Sequence, residues 1–109
     1  MDQNEISHDL IIAAVNHGFS DEVVASAREA GVSGGTVISA RAHAHEEAVA
    51  QFGVPIEEEK DIILMLVERD KKYSIMQIIT EKHGLNTNAN GIVYSLPVDM
   101  LGGMSPGNE

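Results

Sequence analysis

The sequence predicts an α+β domain with the element order βαββαβ, in which an antiparallel sheet carries two helices on one face. Short apolar runs typical of strands alternate with segments that have the period of a helix. The second half of the chain also repeats the plan of the first. In each half a helix ends at glycine and leads through a small-residue loop into a strand, as in EAGVSGGTVIS and KHGLNTNANGIVYS. Two such units form a ferredoxin-like sandwich.

The first half begins with a continuous apolar run from Leu10 to Val15, which is typical of a buried strand. After a turn at residues 16–18, we expect a helix that is capped by Ser20 and ends at Gly31. The second strand then starts at Thr36 and alternates its side chains between two faces. The apolar stripe of the helix consists of Val23, Val24, Ala27 and Ala30.

The second half repeats these elements. A strand is expected over Ile62 to Val67, followed by a helix that starts at Asp70 and ends at Gly84, and by a last strand over Gly91 to Val98. Both faces of the third strand are apolar, although two helices can cover only one face of the sheet. We therefore expect the other face to be buried between subunits, and the alternative is that loops or the C-terminal tail cover it.

The length of 109 residues allows one domain. We expect a single domain over residues 1–109, with its core at about 8–102 and a flexible tail at 103–109. The link between the second and third strands is far longer than a hairpin turn requires, and links of this length are usually functional.

Composition limits the partners that the chain can have. Seventeen Asp and Glu against seven Lys and Arg give a net charge of −10, which repels nucleic acid and anionic lipid surfaces. The absence of cysteine removes disulfides, thiolate nucleophiles and cysteine-based zinc sites. The longest apolar runs have six residues, about a third of what a membrane-spanning helix requires. We expect a cytoplasmic protein that does not insert into a membrane.

Three segments of the chain carry a family resemblance. They are Gly31 to Val37 (GVSGGTV), Glu57 to Leu64 (EEEKDIIL) and Gly91 to Val98 (GIVYSLPV). In their order and spacing within the βαββαβ plan, they resemble the PII nitrogen-regulatory signalling proteins and their PII-like relatives. The resemblance covers about residues 8–102.

The resemblance implies a homotrimer whose open sheet faces meet around a threefold axis, with effector sites in the clefts between subunits. The effector in that family is typically an adenine nucleotide. The long link, about residues 42–58, would be the T-loop, which changes conformation with the effector and contacts a target enzyme or transporter. The implied effector-binding residues are Gly35, Thr36, Val37, Arg41, Gly84, Asn88, Asn90 and Gly91, and the implied partner-binding residues of the loop are His43, His45, Glu46, Glu47 and Phe52.

Two departures from the family's pattern concern phosphate binding. The phosphate-cradling turn, a GDGK-like sequence in the family, reads Asn88-Ala89-Asn90-Gly91 and has no lysine. After Lys82 the chain contains no Lys or Arg, so the family's terminal basic pair is missing as well. We therefore expect AMP, ADP or a small carboxylate to be preferred over ATP, because fewer cations offset the desolvation of phosphate. No tyrosine for uridylylation lies in the loop.

Several candidate residues have a second interpretation. Gly34 and Gly35 fit a tight turn as well as a backbone that admits a flat base, with the hydroxyl of Thr36 as donor and acceptor. Arg41 suits two parallel bonds to a phosphate or carboxylate, or a salt bridge to Glu46 or Glu47.

The histidines of the loop also have two interpretations. His43 and His45 project from the same face of an extended strand, so with an oxygen from Glu46 or Glu47 they suit a divalent transition metal. The alternative is that both are polar loop or interface residues.

The sequence favours a regulatory protein over an enzyme, because it has no P-loop, no HExxH motif, no dinucleotide fingerprint and no recognisable Ser–His–Asp spacing. The expected function is signal transduction, with nitrogen regulation implied by the resemblance. An effector in the intersubunit clefts would reshape residues 42–58 for a target enzyme or membrane transporter. The cofactor candidate is this effector itself, AMP or ADP. The alternative function is a trimeric divalent-metal-binding or metal-homeostasis protein of the same fold, with His43 and His45 as ligands.

Overall fold

The computed structural model describes residues 8–41 and 59–103. The strands form one antiparallel sheet in the order β2-β3-β1-β4, and both helices pack on one face of it. This confirms the predicted ferredoxin-like α+β architecture. In the described ranges, no helix is long and apolar enough to cross a membrane. The elements are β1 (His8–Asn16), α1 (Ser20–Glu29), β2 (Thr36–Arg41), β3 (Glu59–Glu68), α2 (Lys72–His83) and β4 (Ile92–Pro97).

The helix boundaries agree with the prediction at their ends more closely than at their starts. Gly31 has a φ of 110°, and the next amide donates to the carbonyl of Ala27 at 3.0 Å, so α1 stops where the glycine predicts. At its start, Ser20 is already helical and no side chain caps the helix. α2 begins at Lys72 and not at Asp70, because residues 69–71 first form a 3-10 turn.

The strands are slightly displaced from their predicted bounds. β3 begins at Glu59, earlier than the predicted Ile62, because its first residues already pair with the end of β2. The structure describes the second strand as far as Arg41, so the extended segment predicted to carry His43 and His45 lies outside the described residues. The predicted flexible tail beyond residue 103 also lies outside the described residues.

The hydrophobic core lies between the helices and alternate residues of the two central strands. On β1 these residues are Ile11, Ala13 and Val15, and on β3 they pair with Met65, Ile63 and Asp61. The helices complete the core with residues at helical spacing. Val23 and Ala27 belong to the predicted stripe of α1, and α2 contributes Ile75 and Ile79.

The opposite face of the sheet, which we call the open face, is also apolar. One cross-strand row joins Ile38, Ile62, Ala14 and Ile92, and the next contains Thr36, Leu64, Ile12 and Tyr94. Five large side chains of this face are between 39% and 52% exposed. A contiguous apolar surface of this kind is typical of an interaction site. The large apolar residues of the open face are Leu10, Ile12, Ile38, Ile62, Leu64, Leu66, Ile92, Tyr94 and Leu96.

A buried carboxylate lies at the start of β1. Asp9 is 1% exposed and forms ion pairs with Lys72 Nζ at 2.8 Å and Arg69 Nε at 3.0 Å. The bonds from Lys72 and Arg69 lower the pKa of Asp9 against the opposing effect of burial. The ion pairs hold the start of α2 against the sheet.

A buried histidine joins the two helices. His83, at the end of α2, lies with Nε2 2.9 Å from Ser26 Oγ of α1. Burial lowers the pKa of His83, because it penalises the charged imidazolium, and it prevails over the nearby charge of Glu22. The imidazole is therefore neutral at neutral pH.

The position of His83 predicts a pH dependence of stability. As the pH falls below the ordinary histidine value of 6.5, the unfolded chain takes up a proton before the folded chain does. The free energy of unfolding should therefore decrease from pH 6.5 down to the lower pKa of folded His83. Urea unfolding at several pH values checks this: His83→Gln should lose this part of the slope, and an equal slope in both proteins would contradict it.

Candidate effector site

The first part of the predicted site lies at the start of β2. A Cβ at Gly35 would lie 3.0 Å from Met65 Cγ and 3.2 Å from the carbonyl oxygen of Leu64. A side chain at this position would therefore require Met65 or β3 to shift by a few tenths of an ångström, because the chain approaches β3 closely here. The adjacent Thr36 and Val37 are exposed on this outer strand, so the close approach leaves their side chains accessible.

The second part is the loop 84–91, which folds back onto the end of α2. The amide of Gly91 donates to the carbonyl of His83 at 2.9 Å, and that of Asn90 donates to Thr87 at 3.0 Å. Thr87 Oγ1 donates to the carbonyl of Gly84 at 2.7 Å. Asn90 has a φ of 50°, a left-handed conformation that Asn tolerates better than most residues. The loop has a fixed path set by its own hydrogen bonds.

Both glycines of this loop are required by space. A Cβ at Gly84 would collide with the carbonyl oxygen of Thr80, and one at Gly91 would collide with that of His83 and lie 2.8 Å from Val15 Cγ1. The predicted glycines thus have packing roles, and they bring the loop against the last turn of α2 and the end of β1.

Asn16, the last residue of β1, attaches the loop to the sheet. Its backbone amide donates to the carbonyl of Ala89 at 2.8 Å, and its Nδ2 donates to that of Asn88 at 3.2 Å. Ala89 is buried in the core, whereas the side chain of Asn88 is exposed. The loop is therefore anchored at its middle, and its exposed side chains include Asn86, Asn88 and the apolar Leu85.

The third part is the end of the sheet where the long link returns. Arg41 is exposed and lies opposite Glu59 in the ladder between β2 and β3. Lys60 follows Glu59 in β3, and its Nζ donates to Asn16 Oδ1 at 2.8 Å. Both cations therefore lie at the end of the sheet that carries the loop 84–91.

Asp61 fixes the turn between β1 and α1 at this end. It is 3% exposed, its Oδ1 lies 3.0 Å from His17 Nδ1, and its Oδ2 accepts the amide of Gly18 at 3.1 Å. Burial raises the pKa of Asp61, but the bonds from His17 and Gly18 outweigh it and leave the pKa below its ordinary value. The carboxylate is ionised at neutral pH.

The predicted site is divided within one chain. Thr36 lies on β2 and Gly91 precedes β4, the two outer strands, with β3 and β1 between them. Three strand spacings correspond to roughly 14 Å, and Thr36 and Arg41 are about 17 Å apart along β2. One chain therefore does not bring the β2 residues and the loop 84–91 together.

The predicted residues of the link, His43, His45, Glu46, Glu47 and Phe52, lie outside the described residues. Over residues 8–41 and 59–103, no three or more His, Cys, Asp or Glu side chains are grouped so that they could hold a metal ion.

Sequence reasoning did not single out Asn16, His17 or Asp61. Asp61 could have been found from the alternation of β3. It is a charged residue at a position where the alternation predicts a buried, helix-facing side chain, and such a residue needs polar partners. Asn16 gave no such signal, because its partners are 44 and 72 residues away.

Comparison with known proteins gives structural likeness only. No family model and no curated protein matches the sequence. A PII-like signalling protein from Thermus thermophilus is 16% identical, with a TM-score of 0.64 over 84% of this chain and 85% of that one. Arabidopsis thaliana PII bound to citrate is 19% identical, with a TM-score of 0.63 over 90% and 81%. A DUF3240 family protein from Shewanella baltica is 12% identical, with a TM-score of 0.68 over 93% and 100%.

These likenesses define the class of fold. The four-stranded sheet with two helices on one face is a ferredoxin-like sandwich. More particularly, the chain has a divergent PII-like fold, as the sequence resemblance implied.

The packing of Gly91 predicts the effect of a single methyl group. Gly91→Ala should destabilise the protein by about 1–3 kcal/mol, because its Cβ would meet the carbonyl of His83 and the side chain of Val15. Urea unfolding measures the change. The control is Gly102→Ala, whose Cβ would have no atom within 4 Å, and an equal stability of both variants would contradict the packing role.

Proposed function

We propose that this chain is a PII-like regulatory protein and not an enzyme. It assembles into a homotrimer and binds a small effector in the clefts between subunits, and the bound effector changes how residues 42–58 contact a target enzyme or transporter. The effector is an adenine nucleotide, AMP or ADP, or a small anion. The PII-like fold supports this function, and the proposal includes a cytoplasmic location and a role in nitrogen regulation.

The division of the predicted effector residues carries the proposal. Thr36 and the loop 84–91 lie at opposite outer strands of the sheet, so a pocket that uses both needs residues from two copies of the chain. An intersubunit site satisfies this requirement. Binding and assembly would then depend on each other.

The open face supports the assembly. Most of its residues are apolar and come from all four strands, and Leu96, Ile92 and Tyr94 are each about half exposed on the outer strand β4. Burial of this surface against other copies would remove it from water, which is the main favourable contribution to association. Tyr94 would place its ring in the interface while its hydroxyl needs a polar partner there.

The charges near the site support the choice of effector. Arg41 and Lys60 lie at the same end of the sheet as the loop 84–91, and the chain after Lys82 has no cation. Two cations suit a mono- or diphosphate or a small carboxylate better than a triphosphate, because each unpaired phosphate charge is costly to desolvate. The citrate bound to Arabidopsis thaliana PII makes citrate a reasonable second probe, with 2-oxoglutarate as a third.

The effector proposal predicts the result of a calorimetric titration. AMP or ADP should bind the wild type more tightly than ATP does. Arg41→Ala should weaken ADP binding by about 1.5–3 kcal/mol, or roughly 10- to 150-fold, which is the usual effect of losing a charge-assisted bond.

The control for this titration is Arg28→Ala, since Arg28 is an exposed arginine in the last turn of α1. It should bind ADP as the wild type does. Equal affinities of wild type and Arg41→Ala would remove Arg41 from the site, and tight ATP binding would contradict the expected preference.

The open face predicts the behaviour of a charged variant. Leu96→Asp should yield a folded monomer, because Leu96 is half exposed in a single chain and its carboxylate would be buried only in the assembly. Sedimentation velocity and circular dichroism measure the two properties. Tyr73→Asp, on the exposed side of α2, should leave the oligomer intact, and a monomeric wild type would overturn the proposed assembly.

A further inference from the structure

One side chain joins two segments that the proposed function treats separately. Asn16 is 8% exposed at the end of β1. Its Nδ2 donates to the carbonyl of Asn88 at 3.2 Å, while its Oδ1 accepts the Lys60 ammonium at 2.8 Å. The two ends of one amide therefore hold the loop 84–91 and the beginning of β3. Asparagine suits both bonds, because its side chain is a donor at one atom and an acceptor at the other.

The turn that follows Asn16 holds the same part of β3. The amide of His17 donates to the carbonyl of Glu59 at 3.3 Å, and the amide of Gly18 donates to Asp61 Oδ2 at 3.1 Å. Residues 59–61 come directly after the 42–58 link in the sequence. All three are thus bonded to residues 16–18, and the side chain of Asn16 extends this set of bonds to the loop 84–91.

The chemistry of its two bonds makes the Asn16 side chain responsive to changes at Lys60 and at the loop 84–91. The bond from Lys60 is charge-assisted and stronger than one between neutral groups. The bond to Asn88 uses the backbone of the loop, so a ligand that moves this backbone also displaces the amide. A buried amide that loses one bond is driven to reorient, because an unsatisfied buried polar group is unfavourable.

We propose that Asn16 is a positioning residue that couples the loop 84–91 to Lys60 at the root of the long link. The inference deepens the proposed function and rests on it for the identity of the effector loop. A ligand that shifts the carbonyl of Asn88 would move the Asn16 amide and so change the position of the oxygen that accepts from Lys60. In the other direction, a partner that displaces Lys60 would change the bond from Asn16 to the loop. Coupling of this kind is reciprocal. The two hydrogen bonds of the Asn16 side chain define the route of this coupling.

The first test needs no effector and uses amide chemical shifts of the whole chain. Lys60→Met removes the ammonium and keeps a similar side-chain length. In the wild-type background it should shift the amide signals of residues 88–90, and in an Asn16→Leu background this shift should be lost. Lys71→Met, at the other end of the sheet, should leave those signals in place in both backgrounds. Equal shifts in both backgrounds, or no shift in the first, would overturn the coupling.

The second test uses ADP as the probe and a gentler variant. Asn16→Asp keeps an acceptor for Lys60 but loses the donor to Asn88, and it serves also if Asn16→Leu does not fold. Lys60 also lies at the end of the sheet where the proposed cleft forms, so the coupling is read from a double-mutant cycle of ADP affinities. The effects of Asn16→Asp and Lys60→Met on ADP binding should be non-additive. If the two effects add, the coupling is wrong. If ADP, citrate and 2-oxoglutarate all fail to bind the wild type, the proposed function fails, while the first test still decides the coupling.

Discussion

The central strands of the sheet are apolar on both faces, and the two helices can cover only one face of the sheet. Most features of the molecule depend on this constraint. Because β1 and β3 lie in the middle, the outward rows of β2 and β4 join theirs into one continuous open face. A contiguous apolar surface of this extent is rare on a monomer. The strand order itself therefore creates the surface through which the proposed assembly forms.

On the helix-facing side of the sheet, the two halves of the chain place an aspartate at equivalent positions. In each central strand the buried row begins with an aspartate, Asp9 in β1 and Asp61 in β3. Each aspartate bonds to residues that follow the other strand: Asp9 to Arg69 and Lys72, and Asp61 to residues 17 and 18. Since the strands are antiparallel, the two carboxylates lie at opposite ends of the sheet. They fix the entry to each helix and close the apolar core at both ends.

Periodicity predicted the parts of the fold that depend on local sequence. The alternation along β3 predicted two apolar faces, and Gly31 predicted the end of α1, because both signals lie within a few neighbouring residues. The 3-10 turn before α2 was not predicted. The ion pairs of Arg69 and Lys72 with Asp9 hold that segment against the sheet, and they join residues about 60 positions apart. Such pairing has no local signature.

The candidate site was predictable only in its separate parts. The order of segments identified Thr36 and Gly91, but the strand order decides that they lie on opposite outer strands. The bonds of Asn16 depend on the register between β1 and β3, in which it lies opposite Lys60, and on the path of a loop far along the chain. A single sequence carries no record of either relation. The residues that connect the parts were therefore the ones that sequence reasoning missed.

In the proposed assembly, the cations of the site would also reduce the repulsion between subunits that each carry a net charge of −10. Copies of an acidic chain repel one another, and an anionic effector adds to this repulsion unless cations face it. Arg41 and Lys60 lie at the end of the sheet where the proposed cleft would form, so they offset the charge of the effector and that of the neighbouring subunit together. A ligand held by two subunits binds only the assembled state and stabilises it by mass action. Effector binding and assembly would then be thermodynamically coupled. The cations of the cleft and the apolar area of the open face would set the free energy of the coupled process.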